Sequence, residues 1–330
     1  MGKELAEVFP VAREIFERVD ESLQQNLSKM IFWGESVDLM NTSNAQPAIM
    51  AVSMAALKVV MDALVLDHID LHHHDGGAGI AKLCLVAAGH SLGEYSAICA
   101  AASISLEDTA KLLRIRGNAM QEAVPLGKGA MLALLGVDLE IAEKIAAVVL
   151  SDAEVSTPNG VGGSGSDSGV EVCQVANDNG AGQFVLSGTV RTIDKAADIA
   201  GKFGCRKTIK LQVSAPFHSS LMEMAADAMR LALQRVKIAD PKVPIIANYT
   251  GRPNNKGALI PDLLVKQIPG MVRWRETIDY MVKEMQIDTI VEVGPGKVLS
   301  SIAKKMYGDL RTMSVHTPGE VDALVKALTL

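Results

Sequence analysis

The hydrophobic pattern changes period several times along the chain, and each change marks an element. Residues 3 to 30 carry Leu5, Val8, Ala12, Ile15 and Val19 on one stripe, which predicts helix. Pro47 to Leu66 reads as a long helix rich in Ala and Met, with its methionines as core filler. Lys82 to Ala88 is a short apolar run predicted as buried strand, and Ala97 to Ala102 continues a helical, Ala-rich pattern. Leu106 to Val124 is an amphipathic helix with one charge out of place. On a wheel of about 3.6 residues per turn, Arg116 falls among Leu112, Leu113, Met120 and Ala123. Arg114 falls on the polar arc with Glu107, Lys111, Asn118 and Gln121. A guanidinium aimed inward needs an anionic partner, because an unpaired buried charge is too costly. The pattern leaves open whether that partner is a structural carboxylate or one on a substrate.

From residue 129 the organisation differs. Strands are predicted at Ala130 to Val137, Val170 to Ala176, Gln183 to Ser187 and Lys207 to Val213, with helices from Asp138 to Val149 and Val190 to Phe203. The order β-α-β-β-α-β is the split βαβ, ferredoxin-like signature. Strand–helix alternation resumes afterwards, so this stretch reads as an insertion into a larger α/β unit. Beyond it, Val243 to Asn248 is a predicted strand and Val272 to Met285 a predicted helix. Thr289 to Val293 is a strand running into Gly294-Pro295-Gly296-Lys297 and a helix, and a last strand and helix close the chain.

Composition narrows the classes. The chain has 330 residues, 48% of them hydrophobic and 21% charged, with a mean hydropathy of +0.21. That is enough for a large core and for two domains, or one with a big insertion. A net charge of −6 gives no global basic field for nucleic acid, so none is expected as a partner. Cys84, Cys99, Cys173 and Cys205 are scattered without C-x-x-C spacing, which fits reduced thiols in a cytoplasmic protein. The opening MGKELAEVFP has no apolar signal core, and Ala6 breaks the myristoylation pattern. Lys58 and Asp62 interrupt the most apolar stretch, so no membrane span is expected.

The chemistry concentrates at one junction. Gly89-His90-Ser91-Leu92-Gly93 is a G-x-S-x-G pentapeptide between the predicted strand and helix, where a nucleophile elbow sits. Its two glycines are expected to allow a sharp, close turn that projects the Ser91 hydroxyl, with the next helix pointing its free N–H groups at the same corner. His218, in Ser214-Ala215-Pro216-Phe217-His218-Ser219-Ser220, is predicted just before a helix N-terminus with Ser220 and Glu223 at capping-box spacing. The dipole there favours a neutral imidazole, as a general base requires. Two other patterns carry less. Three consecutive histidines (His72, His73, His74, near His68 and Asp75) cannot all face one ion, so a solvated loop is expected. The Gly160 to Gly165 match to G-x-G-x-x-G lacks a flanking strand and helix, so a mobile loop is expected there rather than a nucleotide site. No metal or cofactor is expected.

The segments GHSLGEYSA, IRGNAMQEAVP, SAPFHSSLM and VEVGPGKVLSSI together resemble the malonyl-CoA:acyl carrier protein transacylases of bacterial fatty-acid synthesis. The likeness is collinear over roughly residues 5 to 330. It implies an α/β fold: a large α/β-hydrolase-like domain with a parallel sheet (1–127 and 214–330) and an inserted ferredoxin-like subdomain (128–213). It implies a catalytic Ser91–His218 pair, with Gln267 of KQIPGMVRW matching the amide-bearing residue that orients the histidine. Arg116 matches the arginine that holds the free carboxylate of malonate. His90 matches a pocket residue, and the Leu92 N–H would be an oxyanion donor. Malonyl-CoA and holo-acyl carrier protein are the implied partners, a monomer is expected, and Lys207, Lys210, Arg273, Arg275, Lys304 and Lys305 are offered as a docking patch for an acidic carrier.

Two departures from the family pattern stand out. Its N-terminal strand and G-Q-G-S-Q loop, whose last Gln adds an oxyanion-hole donor, have no counterpart in a sequence that opens Met1-Gly2-Lys3. Loss of one such donor costs on the order of 10² to 10³ in rate. The Gly-rich tract is also longer than the family's. Two rival functions follow: a serine hydrolase or thioesterase using the same pair, and a truncated, weakly active or non-catalytic carrier-binding protein.

Overall fold

The computed structural model describes residues 1–35, 38–39, 41–64, 79–155, 170–213 and 215–329, with side chains left out at 153–155. The histidine-rich segment and the Gly160 to Gly165 match lie outside these residues.

Helices gather at the N-terminal end. The stripe predicted over residues 3 to 30 forms α1 (Lys3–Val8), α2 (Pro10–Leu23) and α3 (Leu27–Trp33) instead of one helix. Phe9 is extended ahead of Pro10, and Gln24 turns left-handed, so each break has a local cause. The long apolar helix, α4 (Thr42–Ala63), starts before Pro47 because the Asn41 side chain caps it. By length and composition α4 could cross a bilayer; here its side chains are buried in the main core with Ile15, Phe16 and Leu113.

After the short helix α5 (Ile80–Leu83), only Ala87–Ala88 of the predicted 82–88 strand pairs into a sheet, as β1. An apolar run of that length suits either state, and the ladder to a neighbouring strand covers just two residues. Next come α6 (Leu92–Ala100) and α7 (Leu106–Glu122), the latter capped by Ser105 on the Asp108 N–H.

The middle of the chain runs β2 (Gly129–Leu135), α8 (Leu139–Val155), β3 (Cys173–Gly180), β4 (Gln183–Thr189), α9 (Val190–Ile199) and β5 (Lys207–Lys210). The strands order as β5-β2-β4-β3, all antiparallel. Their core holds Leu132, Ile145, Phe184 and Ile193. β3 begins and ends later than the predicted 170–176 strand, because two irregularities in its pairing with β4 carry it through the polar Asn177-Asp178-Asn179 run.

The remainder is α10 (Glu223–Leu233), β6 (Ile245–Ala247), β7 (Arg252–Asn254), α11 (Ile260–Gln267), β8 (Val272–Arg273), α12 (Trp274–Asp279), β9 (Thr289–Val293), α13 (Val298–Met306), β10 (Arg311–Val315) and α14 (Pro318–Thr329). β1 pairs in parallel with β6, and β9 with β10, as two separate sheets among the described residues. The helix predicted over 272–285 is divided. Val272 and Arg273 join the middle sheet as a fifth strand beside β3, and Tyr280–Glu284 loosens into a π-turn. The sheet of β2 to β5 therefore takes its fifth strand from outside residues 128–213.

Candidate active site

The turn after β1 brings Ser91 out of the sheet. Its backbone sits at φ 53°, ψ −110°, a conformation that costs a non-glycine residue on the order of 1–3 kcal/mol and persists only where neighbours over-determine it. Asn248, directly after β6, supplies that constraint. Its Oδ1 accepts the Ser91 N–H at 2.7 Å, and its Nδ2 donates to the Gly89 carbonyl at 2.8 Å. Of the two motif glycines, only Gly89 is needed for space. A Cβ there would lie 1.9 Å from the Gly93 carbonyl oxygen, whereas one on Gly93 would meet nothing within 4 Å.

The Ser91 hydroxyl has two partners. His218 Nε2 lies 2.8 Å from Oγ, and Arg116 Nη2 donates to Oγ at 3.0 Å. His218 Nδ1 lies 2.9 Å from the Gln267 backbone oxygen, which can only accept, so the proton is on Nδ1. Nε2 is then the free lone pair, and the Ser91 O–H donates to it. Burial, with the Arg116 charge beside it, pushes the imidazole down to about 3. The α-helix start expected just after His218 is set back. A 3₁₀ turn (Ser220–Met222) separates His218 from α10, and no Ser220–Glu223 capping box forms. His218 itself is held at φ 56°.

Arg116 is inward-facing, as its place on the α7 wheel predicts, and only 1% exposed. Gly117 makes this possible, since a Cβ there would strike the Ser43 backbone at 2.5 Å. That close approach to α4 brings Gln46 Oε1 to 2.7 Å from Arg116 Nη1. Nη2 also donates to Gln267 Oε1 at 3.0 Å, and Nε is buried without a hydrogen bond. Among the described residues Arg116 makes no ion pair; its hydrogen-bond partners are all neutral. Among the described residues no carboxylate touches the guanidinium directly; the nearest acid in its network, Glu94, reaches it through Gln267 and by charge.

Gln267 links the parts. Its backbone oxygen holds His218, its Oε1 meets Arg116, and its Nε2 donates to the Ser91 carbonyl at 2.9 Å and to Glu94 Oε2 at 2.7 Å. Glu94 also accepts the Asn248 N–H at 3.0 Å. Burial pushes its carboxyl up to about 7, against those two hydrogen bonds and the Arg116 charge. His90 sits beside this network without a hydrogen bond to it among the described residues: its Nε2 donates to Asn179 Oδ1 at 2.9 Å, and its ring meets Trp274 edge-on at 5.6 Å. Leu92 is the first residue of α6. Gly93 and Glu94 return their N–H groups to His90 and Ser91 carbonyls, so the Leu92 N–H is the first-turn donor left at this corner among the described bonds.

The structure thus brings Ser91, His218, Gln267 and Arg116 into mutual contact, with His90 and Leu92 flanking. This geometry is that of an activated hydroxyl beside a socket for an anion. No protein-family model matches the chain. The malonyl CoA-acyl carrier protein transacylase of Bacillus subtilis (strain 168) is 35% identical over 328 residues, covering 99% of this chain and 92% of that protein. The transacylase of the same name from Escherichia coli (strain K12) is 30% identical over 326 residues, covering 99% and 94%. The chain belongs to the malonyl CoA-acyl carrier protein transacylase family. Among solved structures, an acyl-carrier-protein-S-malonyltransferase from Bartonella henselae superposes with a TM-score of 0.87 at 43% identity, covering 100% of this chain and 95% of that one. A malonyl-transacylase in complex with its type II PKS acyl-carrier protein superposes at 0.84 with 28% identity, covering 98% and 94%.

Glu94, Asn248, Gln46 and Asn179 are site residues that the sequence did not single out. Glu94 had one available signal: it lies three residues after Ser91, in an otherwise apolar helix. Of the six cations offered as a docking patch, Lys210 pairs with Asp194, Arg273 with Glu276, Arg275 with Asp178 and Asp279, and Lys304 donates to the Leu310 carbonyl. Lys207 and Lys305 instead join Arg206 around a cavity of about 320 Å³ beside Gly136 and Gly182.

Proposed function

We propose that the chain carries a malonyl group from malonyl-CoA to the phosphopantetheine thiol of acyl carrier protein, through a malonyl ester on Ser91. His218 Nε2 takes the Ser91 proton as Oγ attacks the thioester carbonyl, and coenzyme A leaves as the thiol with that proton. The carrier thiol then attacks the ester, His218 again moves the proton, and Ser91 is restored. The Leu92 N–H serves the developing oxyanion, and His90 lines the pocket. Acyl transfer changes no oxidation state, so the scheme calls on no metal or redox cofactor. All its groups come from one chain, so a monomer suffices. Four free cysteines fit a cytoplasmic setting.

The observation that carries this reading is the Arg116 guanidinium, buried beside the nucleophile with no carboxylate in direct contact among the described residues. Its charge suits an acyl group that brings its own carboxylate, which malonyl does and acetyl does not. A hydrolase using the same pair would leave that socket without purpose. The carrier is assigned as partner on the strength of the family and the related complex. Arg206, Lys207 and Lys305 are assigned as its docking cations. We further assign 128–213 as a ferredoxin-like subdomain inserted in an α/β-hydrolase-like domain (1–127 and 214–330). The antiparallel strand order and the β-α-β-β-α-β succession support that division.

The test is covalent labelling by malonyl-CoA, read by intact-protein mass. Wild type is expected to gain one malonyl group and lose it to holo-acyl carrier protein. Ser91→Ala is expected to gain none, and retained labelling would remove Ser91 from the scheme.

A further inference from the structure

Glu94 is 2% exposed and takes no part in the proton or acyl transfers above. Its position nevertheless controls a group that does. The Gln267 side chain has two unlike ends. Its NH2 faces three acceptors, Glu94 Oε2 at 2.7 Å, the Ser91 carbonyl at 2.9 Å and Asn248 Oδ1 at 3.4 Å, while its Oε1 takes a hydrogen from Arg116 Nη2 at 3.0 Å. Turned through half a revolution, the amide would set oxygen against those acceptors and NH2 against the guanidinium. Each contact would then be repulsive, and buried donors and acceptors would be left unmade.

The carboxylate is itself fixed, because the same Oε2 accepts the Asn248 backbone N–H at 3.0 Å. A backbone donor cannot be turned round, so the order of donors and acceptors propagates outward: Asn248 fixes Glu94, Glu94 fixes Gln267, and Gln267 fixes one Nη of Arg116. On the other side Gln46 Oε1 holds Nη1 at 2.7 Å. Arg116 hangs between two amide oxygens, and only the Gln267 side is braced by a carboxyl group.

We propose that Glu94 is a positioning residue for acyl-group selection, holding the Gln267 amide in the one orientation that aims Arg116 at a carboxylate on the acyl chain. This rests on the transacylase reading above. It goes further by tying selectivity to a residue that touches neither acyl group nor nucleophile side chain.

The experiment compares single-turnover labelling of Ser91 by malonyl-CoA and by acetyl-CoA in wild type and Glu94→Ala, with circular dichroism melting of each. The variant is expected to slow malonyl labelling roughly tenfold to a hundredfold, the range for an unmade buried hydrogen bond to a charge. Acetyl labelling is expected to change far less, so the malonyl-to-acetyl ratio falls. Equal slowing of both donors would show a merely structural role and overturn the proposal, as would an unchanged ratio. If Glu94→Ala does not fold, Glu94→Gln carries the same comparison. It keeps one acceptor oxygen but loses the charge, and the ratio is expected to fall in the same direction by a smaller factor. Wild type that takes no malonyl label would defeat the functional reading itself. Labelled wild type with unaltered variant ratios would defeat only the role given to Glu94.

Discussion

The cluster around Ser91 and the cavity ringed by Arg206, Lys207 and Lys305 both depend on cations, and they hold them in opposite ways. Arg116 is buried and tied to three side-chain oxygens, those of Gln46, Ser91 and Gln267. Arg206, Lys207 and Lys305 are exposed, and no ion pair engages them among the described residues. A charge removed from water must have its place fixed by neighbours, so it can discriminate between ligands by geometry. A charge left in water discriminates little and instead raises the local potential, which speeds encounter with an acidic partner and weakens with salt. On the proposed function, the first cation chooses the acyl group and the second set gathers the carrier.

The largest test of that contrast is Arg116→Ala. Malonyl labelling of Ser91 should fall roughly 10²- to 10³-fold, as for truncation of one partner of a buried charge pair. Acetyl labelling should fall much less, and stopped-quench rates for the two donors check it. Parallel losses would mean that the guanidinium serves the nucleophile alone. Next, Gly89→Ala should lower stability by about 1–3 kcal/mol or more, the range for overpacking. Gly93→Ala, with open space at its Cβ, should stay within about 0.5 kcal/mol. Urea midpoints decide between them.

A third test uses acidity. His218 is held near 3 when folded against an ordinary value of 6.5. As pH falls below about 6.5, the unfolded chain therefore takes up a proton that the folded chain refuses. The contribution to stability declines toward pH 3, at up to about 1.4 kcal/mol per pH unit. Glu94, raised to about 7, works in the other direction, gaining as pH falls from 7 towards its ordinary value. The difference between wild type and His218→Ala isolates the histidine, and urea midpoints across that range should converge for the two as pH falls. The smallest effect belongs to the surface. Lys207→Glu with Lys305→Glu should raise KM for the carrier about three- to tenfold at low ionic strength, shrinking toward unity near 0.5 M salt. A salt-independent change would mean that these cations act by contact.

Sequence periodicity served best where an element is long and one-sided. The span of α7 and the inward turn of Arg116 were legible because seventeen helical residues leave little freedom in where each one points. The strand predicted at 82–88 and the helix at 272–285 were right in part and wrong in extent: each contains a two-residue strand that pairs with a partner far along the chain, Ile245 and Ile246 for β1, Asn177 and Asp178 for β8. The site divides likewise. Ser91 lies in a local motif and can be read from its neighbours. Asn248 and Gln46 reach Ser91 and Arg116 through contacts over sixty positions along the chain, and an isolated Asn or Gln carries no local mark of such a contact.

The group that steadies His218 is a peptide oxygen at Gln267, and it belongs to the main chain. Every amino acid supplies that atom, so exchanging the side chain at 267 can disturb Arg116 and Glu94 yet cannot delete the acceptor itself. Evolution can drift at this position without losing the imidazole's tether, and mutational scans would score the tether as unimportant. Only a change that moves the backbone at the end of α11 would reveal it.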